Sequence, residues 1–137
     1  MSEMMKETSN YRLLHTMIRV KDLEKSIEFY SKHLGMEVLR KKDFPGGKFT
    51  NVFMGYGEET SNTVLELTYN WGENTYDKGN AYGHIAIEVE DIYGFCGELE
   101  NQGAEVYRKP GPVKGGQTII AFVRDPDGYA IELIQAK

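Results

Sequence analysis

Cysteine is almost absent: Cys96 is the one thiol among 137 residues, so no disulfide can close within the chain and a reducing compartment is expected. No stretch approaches the ~18 consecutive apolar residues of a membrane span. The opening residues, Met1 to Glu7, are polar and hold no apolar core of the kind a secretory signal needs. These absences predict a cytoplasmic protein whose residues 1–10 form a loose polar tail. Clustered positive charge is missing as well. Lys and Arg number 16 against 21 Asp and Glu, a formal net charge of −5, and the densest basic run is only Arg40-Lys41-Lys42. A nucleic-acid surface needs a basic stripe, so neither nucleic acid nor membrane is expected as a partner. What is present, 40% hydrophobic residues with scarce proline, suits one globular domain over 11–137.

That domain is built twice. His15, Ile18, Val20, Asp22 and Leu23 fall in register over His84, Ile87, Val89, Asp91 and Ile92 at an offset of 69 residues, and the same offset carries Phe53 onto Phe122. Leu65-Glu66-Leu67 lies over Ile131-Glu132-Leu133 at an offset of 66, which requires only a final hairpin three residues longer in the first half.

Each half carries the same local signals. Leu13 to Val20 alternates with the two-residue period of a strand. Asp22 can cap a helix with Leu23, Ile27, Tyr30 and Leu34 on one face, which Gly35 stops. Strands over Glu37–Lys42, Phe49–Gly55 and Thr63–Tyr69 complete the unit, with a turn at Pro45-Gly46-Gly47. In the second half a strand over Gly83–Val89 leads to a helix capped by Asp91, with Ile92, Phe95, Cys96 and Leu99 inward. Gly94 and Gly97 inside that helix each cost roughly 1 kcal/mol against Ala. Gly103 ends it, and strands follow over Ala104–Lys109, Thr118–Arg124 and Tyr129–Gln135, the last two joined by the turn Asp125-Pro126-Asp127-Gly128. The fold class is α+β: two tandem βαβββ modules, about 11–70 and 83–135, linked by 71–82 and forming a curved sheet around a site.

Alternation assigns the faces. Thr16, Ile18 and Val20 should meet the first helix, leaving His15, Met17 and Arg19 opposite. Ile85, Ile87 and Val89 do the same for His84, Ala86 and Glu88. Leu65 and Leu67 leave Glu66, Thr68 and Asn70 on the free face, as Ile131 and Leu133 leave Glu132 and Ile134. A lone histidine at a strand start is ordinarily a hydrogen-bonded structural residue. Here the repeat pairs the groups: a pseudo-twofold would bring His15, Glu66, His84 and Glu132 to one cleft, where two buried carboxylates need a cation. Two imidazoles and two carboxylates without a thiolate suit six-coordinate Ni²⁺, Co²⁺, Mn²⁺ or Zn²⁺ with two open positions, a catalytic rather than a structural site.

The remaining chemistry-bearing residues read as structural. His33 sits near a helix end, where a cation meets the dipole favourably, and Cys96 is core packing. Phe53 and Phe122 pack the sheets. Trp71, Tyr76 and Tyr82 either wall the cleft or fill the junction.

The runs His15 to Val20, Ser26 to Tyr30, Leu34-Gly35-Met36, Glu66 to Trp71, Tyr82-Gly83-His84, Gly111 to Gly116 and Asp125 to Leu133 together resemble bacterial glyoxalase I, of the vicinal oxygen chelate superfamily. The likeness spans about residues 11–135. It implies that superfamily's fold and a metal-dependent lactoylglutathione lyase, isomerising the hemithioacetal of methylglyoxal and glutathione to S-D-lactoylglutathione through an enediolate. His15, Glu66, His84 and Glu132 match the metal ligands, and Glu132, assisted by Glu66, is the expected base. Arg19 and Asn70 match residues that hold the γ-glutamyl end of glutathione. Arg19 shares the face of His15, about 13 Å along the strand at ~3.3 Å per residue. Lys114 is a candidate for the glycine carboxylate. The compact length resembles the nickel/cobalt class, so Ni²⁺ is expected first, Co²⁺ next and Zn²⁺ after them, in a homodimer. Alternatives within the superfamily are a thiol transferase, an epimerase or a metal-free drug-binding module. Glu66 at the fourth ligand position departs from the pattern of the first two, and the presence of all four ligands argues against the third.

Overall fold

Strand β1, His15–Arg19, is shorter than the alternation suggested, and only its inward Ile18 and the following Val20 are buried. Thr16, expected to meet the helix, is exposed. The computed structural model describes residues 7–137. The tail expected over 1–10 lies outside the described residues up to residue 6. Beyond it, Thr8–Asn10 makes an exposed 3-10 turn closed by the Tyr11 N–H on the Thr8 carbonyl at 2.9 Å.

Asp22 caps α1, Leu23–Glu28, by accepting from the Lys25 N–H at 3.2 Å. The single helix expected here changes character at Phe29. Residues Phe29–His33 wind as a π-turn, with the Leu34 N–H reaching the Phe29 carbonyl. Two consecutive aromatics at the start of this turn, Phe29 and Tyr30, are both buried. Gly35 then takes φ +75 and leads into β2, Glu37–Phe44. Strands β3, Phe49–Gly55, and β4, Val64–Asn70, complete the module. Module 2 repeats it with β5, Ile85–Val89; α2, Ile92–Asn101; β6, Val106–Pro112; β7, Ile119–Arg124; and β8, Ala130–Gln135. Asp91 caps α2 through the Gly94 N–H at 3.1 Å.

The sheet orders are β1-β4-β3-β2 and β5-β8-β7-β6, each with one parallel pair at the edge and antiparallel pairs elsewhere. The repeat read from the sequence is therefore a repeat of topology. The sheet is not one continuous surface, however: no strand ladder joins β1 to β5, so the chain has two four-stranded sheets. A single apolar cluster nonetheless links them, from Val20, Tyr30 and Leu67 to Ile92, Ile131 and Leu133. No helix among the described residues is long and apolar enough to cross a membrane.

The junction between modules is polar at its centre. The Tyr30 hydroxyl donates to Asp125 Oδ2 at 2.6 Å across the two halves, and both groups are buried. Asp125 Oδ1 accepts the N–H groups of Asp127 and Tyr129 at 3.0 and 2.8 Å, closing the Asp125–Gly128 turn on itself. Asp127 accepts the Lys21 N–H at 3.0 Å, and the Tyr129 hydroxyl donates to the Arg19 carbonyl at 2.8 Å. Burial, and then the neighbouring Asp125 charge, push the Tyr30 hydroxyl far above its ordinary pKa. Burial likewise raises Asp125, against the opposing pull of the Tyr30 hydrogen bond. The short turn is thus the clasp that holds module 2 to α1.

Candidate metal centre

Strand register decides which side chains meet. β1 runs parallel to β4 with Met17 beside Glu66, and β5 runs parallel to β8 with Ala86 beside Glu132. Each histidine lies two positions before the strand partner of its glutamate, on the same face. The result is two equivalent pairs: His15 Nε2 stands 2.9 Å from Glu66 Oε1, and His84 Nε2 stands 3.0 Å from Glu132 Oε1. Glu66 is buried and Glu132 half-buried, while both imidazoles keep an exposed edge.

The structure brings the four expected ligands together two by two, not four at once. Among the described residues no group of three His, Cys, Asp or Glu side chains converges as a metal site would need. Each pair is still shaped for a cation. Adjacent ligands of a six-coordinate ion, at bonds of about 2.1 Å, stand about 3 Å apart. A pair spaced at 2.9 or 3.0 Å therefore presents two neighbouring corners of such an ion. The donors, imidazole nitrogen and carboxylate oxygen, fit a borderline divalent metal.

Phe53 and Phe122, read from the sequence as sheet packing, do more than that. Phe53 lies opposite Glu66 in the β3–β4 ladder and meets the His15 ring edge-on, with centroids 5.4 Å apart. Phe122 lies opposite Glu132 and meets His84 in the same way at 5.5 Å. A ring fixed against an imidazole restricts its rotation and holds Nε2 on the glutamate. The Arg40 guanidinium also lies over the Phe53 ring, 3.7 Å from its centroid, and is itself held by Glu59, at 2.6 Å and 3.2 Å. The offset that superposed the two phenylalanines was the sequence signal for this role.

Thr68 was visible only as a member of that face. Its Oγ1 lies 3.0 Å from Glu66 Oε2 and 3.0 Å from Asn51 Oδ1. Asn51 carried no sequence signal at all, because only the β3–β4 register puts it across from Thr68.

The expected substrate contacts are spread more widely. Arg19 is exposed at the end of β1 and lines a groove with Met17, Tyr76, Lys78 and Tyr82. Asn70, half-buried at the end of β4, accepts from the Tyr76 hydroxyl at 3.3 Å. The linker thus folds back along the same edge, and Tyr76 walls the groove. Lys114 is exposed in the β6–β7 turn, and no hydrogen bond or ion pair among the described residues ties it to the other candidates. Trp71 does not line the groove with Arg19; its indole N–H donates to Thr50 Oγ1 at 2.9 Å. His33 is held by Gln102 at 2.7 Å across the modules, and Cys96 is buried in the core.

Comparison with known proteins places the whole domain in one family. Residues 12–133 match the family model described as the Glyoxalase/Bleomycin resistance protein/Dioxygenase superfamily. The chain is 62% identical over 123 residues to a probable lactoylglutathione lyase of Synechocystis sp., covering 90% of this chain and 94% of that one. It is 61% identical over 126 residues to a lactoylglutathione lyase of Neisseria meningitidis, covering 92% and 91%. Among solved structures, glyoxalase I from Zea mays superposes with a TM-score of 0.88 at 49% identity over 91% of this chain. The chain spans only 44% of the maize one. The trypanothione-dependent glyoxalase I of Leishmania major superposes with a TM-score of 0.83 at 51% identity, covering 92% of this chain and 87% of that one.

Proposed function

Because the chain belongs to the Glyoxalase/Bleomycin resistance protein/Dioxygenase superfamily, we propose that it converts the methylglyoxal–glutathione hemithioacetal to S-D-lactoylglutathione at a divalent metal held by His15, Glu66, His84 and Glu132. Its activity is that of a lactoylglutathione lyase. The observation that supports the metal reading is the repeated His–Glu pair, spaced at 2.9 and 3.0 Å on equivalent strands of two modules. Ni²⁺ is the metal proposed first, with Co²⁺ next and Zn²⁺ less suited, for a chain of this compact length.

A bound divalent ion supplies Lewis-acid stabilisation of the negative charge that develops on the substrate's two neighbouring oxygens. The protein's own groups supply the rest. Glu132 is the base that takes the proton from one carbon and returns it to the next, with Glu66 assisting. Arg19 and Asn70 receive the γ-glutamyl end, one substrate length along the strands from the ligand pairs, and Lys114 the glycine carboxylate.

One chain offers each ion only two ligands, so we assign the complete centre to a homodimer in which the His15–Glu66 pair of one protomer faces the His84–Glu132 pair of its partner. The surface beside His15 supports this: Tyr11, Leu13 and Leu14 are 76%, 71% and 56% exposed, an apolar strip that a single protomer leaves open to water. A lone buried thiol suits a cytoplasmic enzyme.

The test is isomerase turnover by metal-stripped protein, with Ni²⁺, Co²⁺ or Zn²⁺ returned separately and hemithioacetals of glutathione and trypanothione compared. Recovery with Ni²⁺ and Co²⁺ on the glutathione adduct is the expected result. Full turnover without metal would sink the metal reading, and turnover confined to the trypanothione adduct would sink the choice of thiol.

A further inference from the structure

We propose that Thr68, itself held by Asn51, is a positioning residue that fixes Glu66 as a permanent metal ligand, and that the lack of any counterpart in module 2 leaves Glu132 free to carry the proton. The inference rests on reading both glutamates as ligands and deepens that reading by dividing their labour.

The two half-sites share one register but not one chemistry. Phe53 pairs with Glu66 and Phe122 with Glu132. Two residues further along the same ladders and on the same face, Asn51 pairs with Thr68, whereas Ile120 pairs with Ile134. The positions beside the glutamate are therefore polar in module 1 and apolar in module 2.

Thr68 is 6% exposed, which leaves little room for water to compete for its hydroxyl. That hydroxyl has one proton, and it stands 3.0 Å from both Glu66 Oε2 and Asn51 Oδ1. An ionised carboxylate can only accept, so the proton goes to Glu66. Asn51 then holds the hydroxyl oxygen through its amide N–H, with the amide turned by half a rotation so that Nδ2 takes the place of Oδ1. The chain of donors runs from Asn51 through Thr68 to Glu66.

The two carboxylate oxygens of Glu66 are thereby separated in role. Oε1 faces His15 Nε2 at 2.9 Å, where a shared ion would sit, and Oε2 is tied to Thr68. A carboxylate held at both ends does not swing. Glu132 Oε1 faces His84 Nε2 in the same way, but Ile134 and Ile120 offer no donor, and no hydrogen bond among the described residues restrains its second oxygen. A base that serves two neighbouring carbons benefits from freedom to follow the proton, and of the two carboxylates Glu132 is the less restrained.

Two reciprocal substitutions test this. Thr68→Val keeps the shape and deletes the hydroxyl. Its Ni²⁺ affinity, read by competition with a chromophoric chelator, is expected to fall about 10- to 100-fold, the usual loss when a ligand's supporting bond is removed. Thr68→Ser should restore most of it. Ile134→Thr places a hydroxyl beside Glu132 and should lower kcat by about 10-fold while KM and Ni²⁺ affinity stay at or above wild-type strength. Wild-type Ni²⁺ affinity in Thr68→Val overturns the positioning of Glu66, and wild-type kcat in Ile134→Thr overturns the division of labour. A Glu66→Ala protein that binds Ni²⁺ as tightly as wild type would instead refute the ligand assignment itself.

Discussion

Tyr30 and Asp125 show how much one hydrogen bond can carry when it is the polar centre of a junction. The bond is short, at 2.6 Å, and both partners are buried. In Tyr30→Phe one Asp125 oxygen loses its donor, and a buried acceptor left unmade costs about 1–3 kcal/mol. Urea unfolding should show that loss; a change below about 0.3 kcal/mol would mean the clasp is slack. Asp125 also gives the junction a pH dependence. Burial raises its native pKa above the ordinary value of 3.8, so the folded state binds the proton more tightly than the unfolded chain. That contribution is fully present below the ordinary value and is lost as pH rises through the native one. Asn at this position does not titrate. Stability of the wild type relative to Asp125→Asn should therefore decline as pH increases from about 3.8 upward, read from urea midpoints at several pH values. A difference that grows with pH would show that the hydrogen bonds to Asp125 outweigh its burial.

At the scale of the element, α2 contains two glycines with opposite consequences. A Cβ on Gly97 meets nothing within 4 Å, whereas one on Gly94 falls 2.4 Å from Asp91 Oδ2. Gly97→Ala should stabilise the protein by about 0.5–1 kcal/mol, the ordinary gain of Ala over Gly in a helix. Gly94→Ala pushes the capping carboxylate off the helix end, and a lost cap costs about as much as the Ala gains. Thermal melts should separate the two variants by roughly 2–4 °C. Equal melting temperatures would mean that Asp91 re-forms its cap around the new methyl group. The sequence made both caps, both helix faces and nearly every strand legible, because capping residues and two-residue alternation act locally. It did not reveal the π-turn at Phe29–His33. Within that turn Tyr30 meets Asp125, a partner 95 residues away that no local pattern reveals. The Asn51–Thr68 contact was hidden for the same reason: ladder register is a property of the folded sheet.

The whole molecule carries two equivalent His–Glu pairs, one in each module. Alternation and the internal repeat singled out the four residues proposed as ligands, yet a pseudo-twofold in sequence does not say whether the modules close on each other or on a second copy. Tandem modules clasped through Tyr30 and Asp125 leave the His15–Glu66 and His84–Glu132 pairs apart. If two protomers complete each centre, His15→Ala and His84→Ala proteins are each inactive alone. Unfolded and refolded together in equal amounts, they should recover roughly a quarter of wild-type activity, because half of the dimers are mixed and each mixed dimer holds one intact centre. No recovery, with mixed dimers verified by mass, would place each centre within one chain.

The single cysteine acquires a meaning from the reaction. Methylglyoxal adds to a thiol without any catalyst, so a thiol exposed on the enzyme would be a rival co-reactant, and the catalyst would be capped by the compound it clears. Cys96, on the inward face of α2, is 2% exposed, and burial raises its pKa, so it stays in the protonated, unreactive form. The scarcity of sulfur nucleophiles is, in this light, a form of self-protection: the enzyme's one thiol does not compete with the soluble thiol for the dicarbonyl.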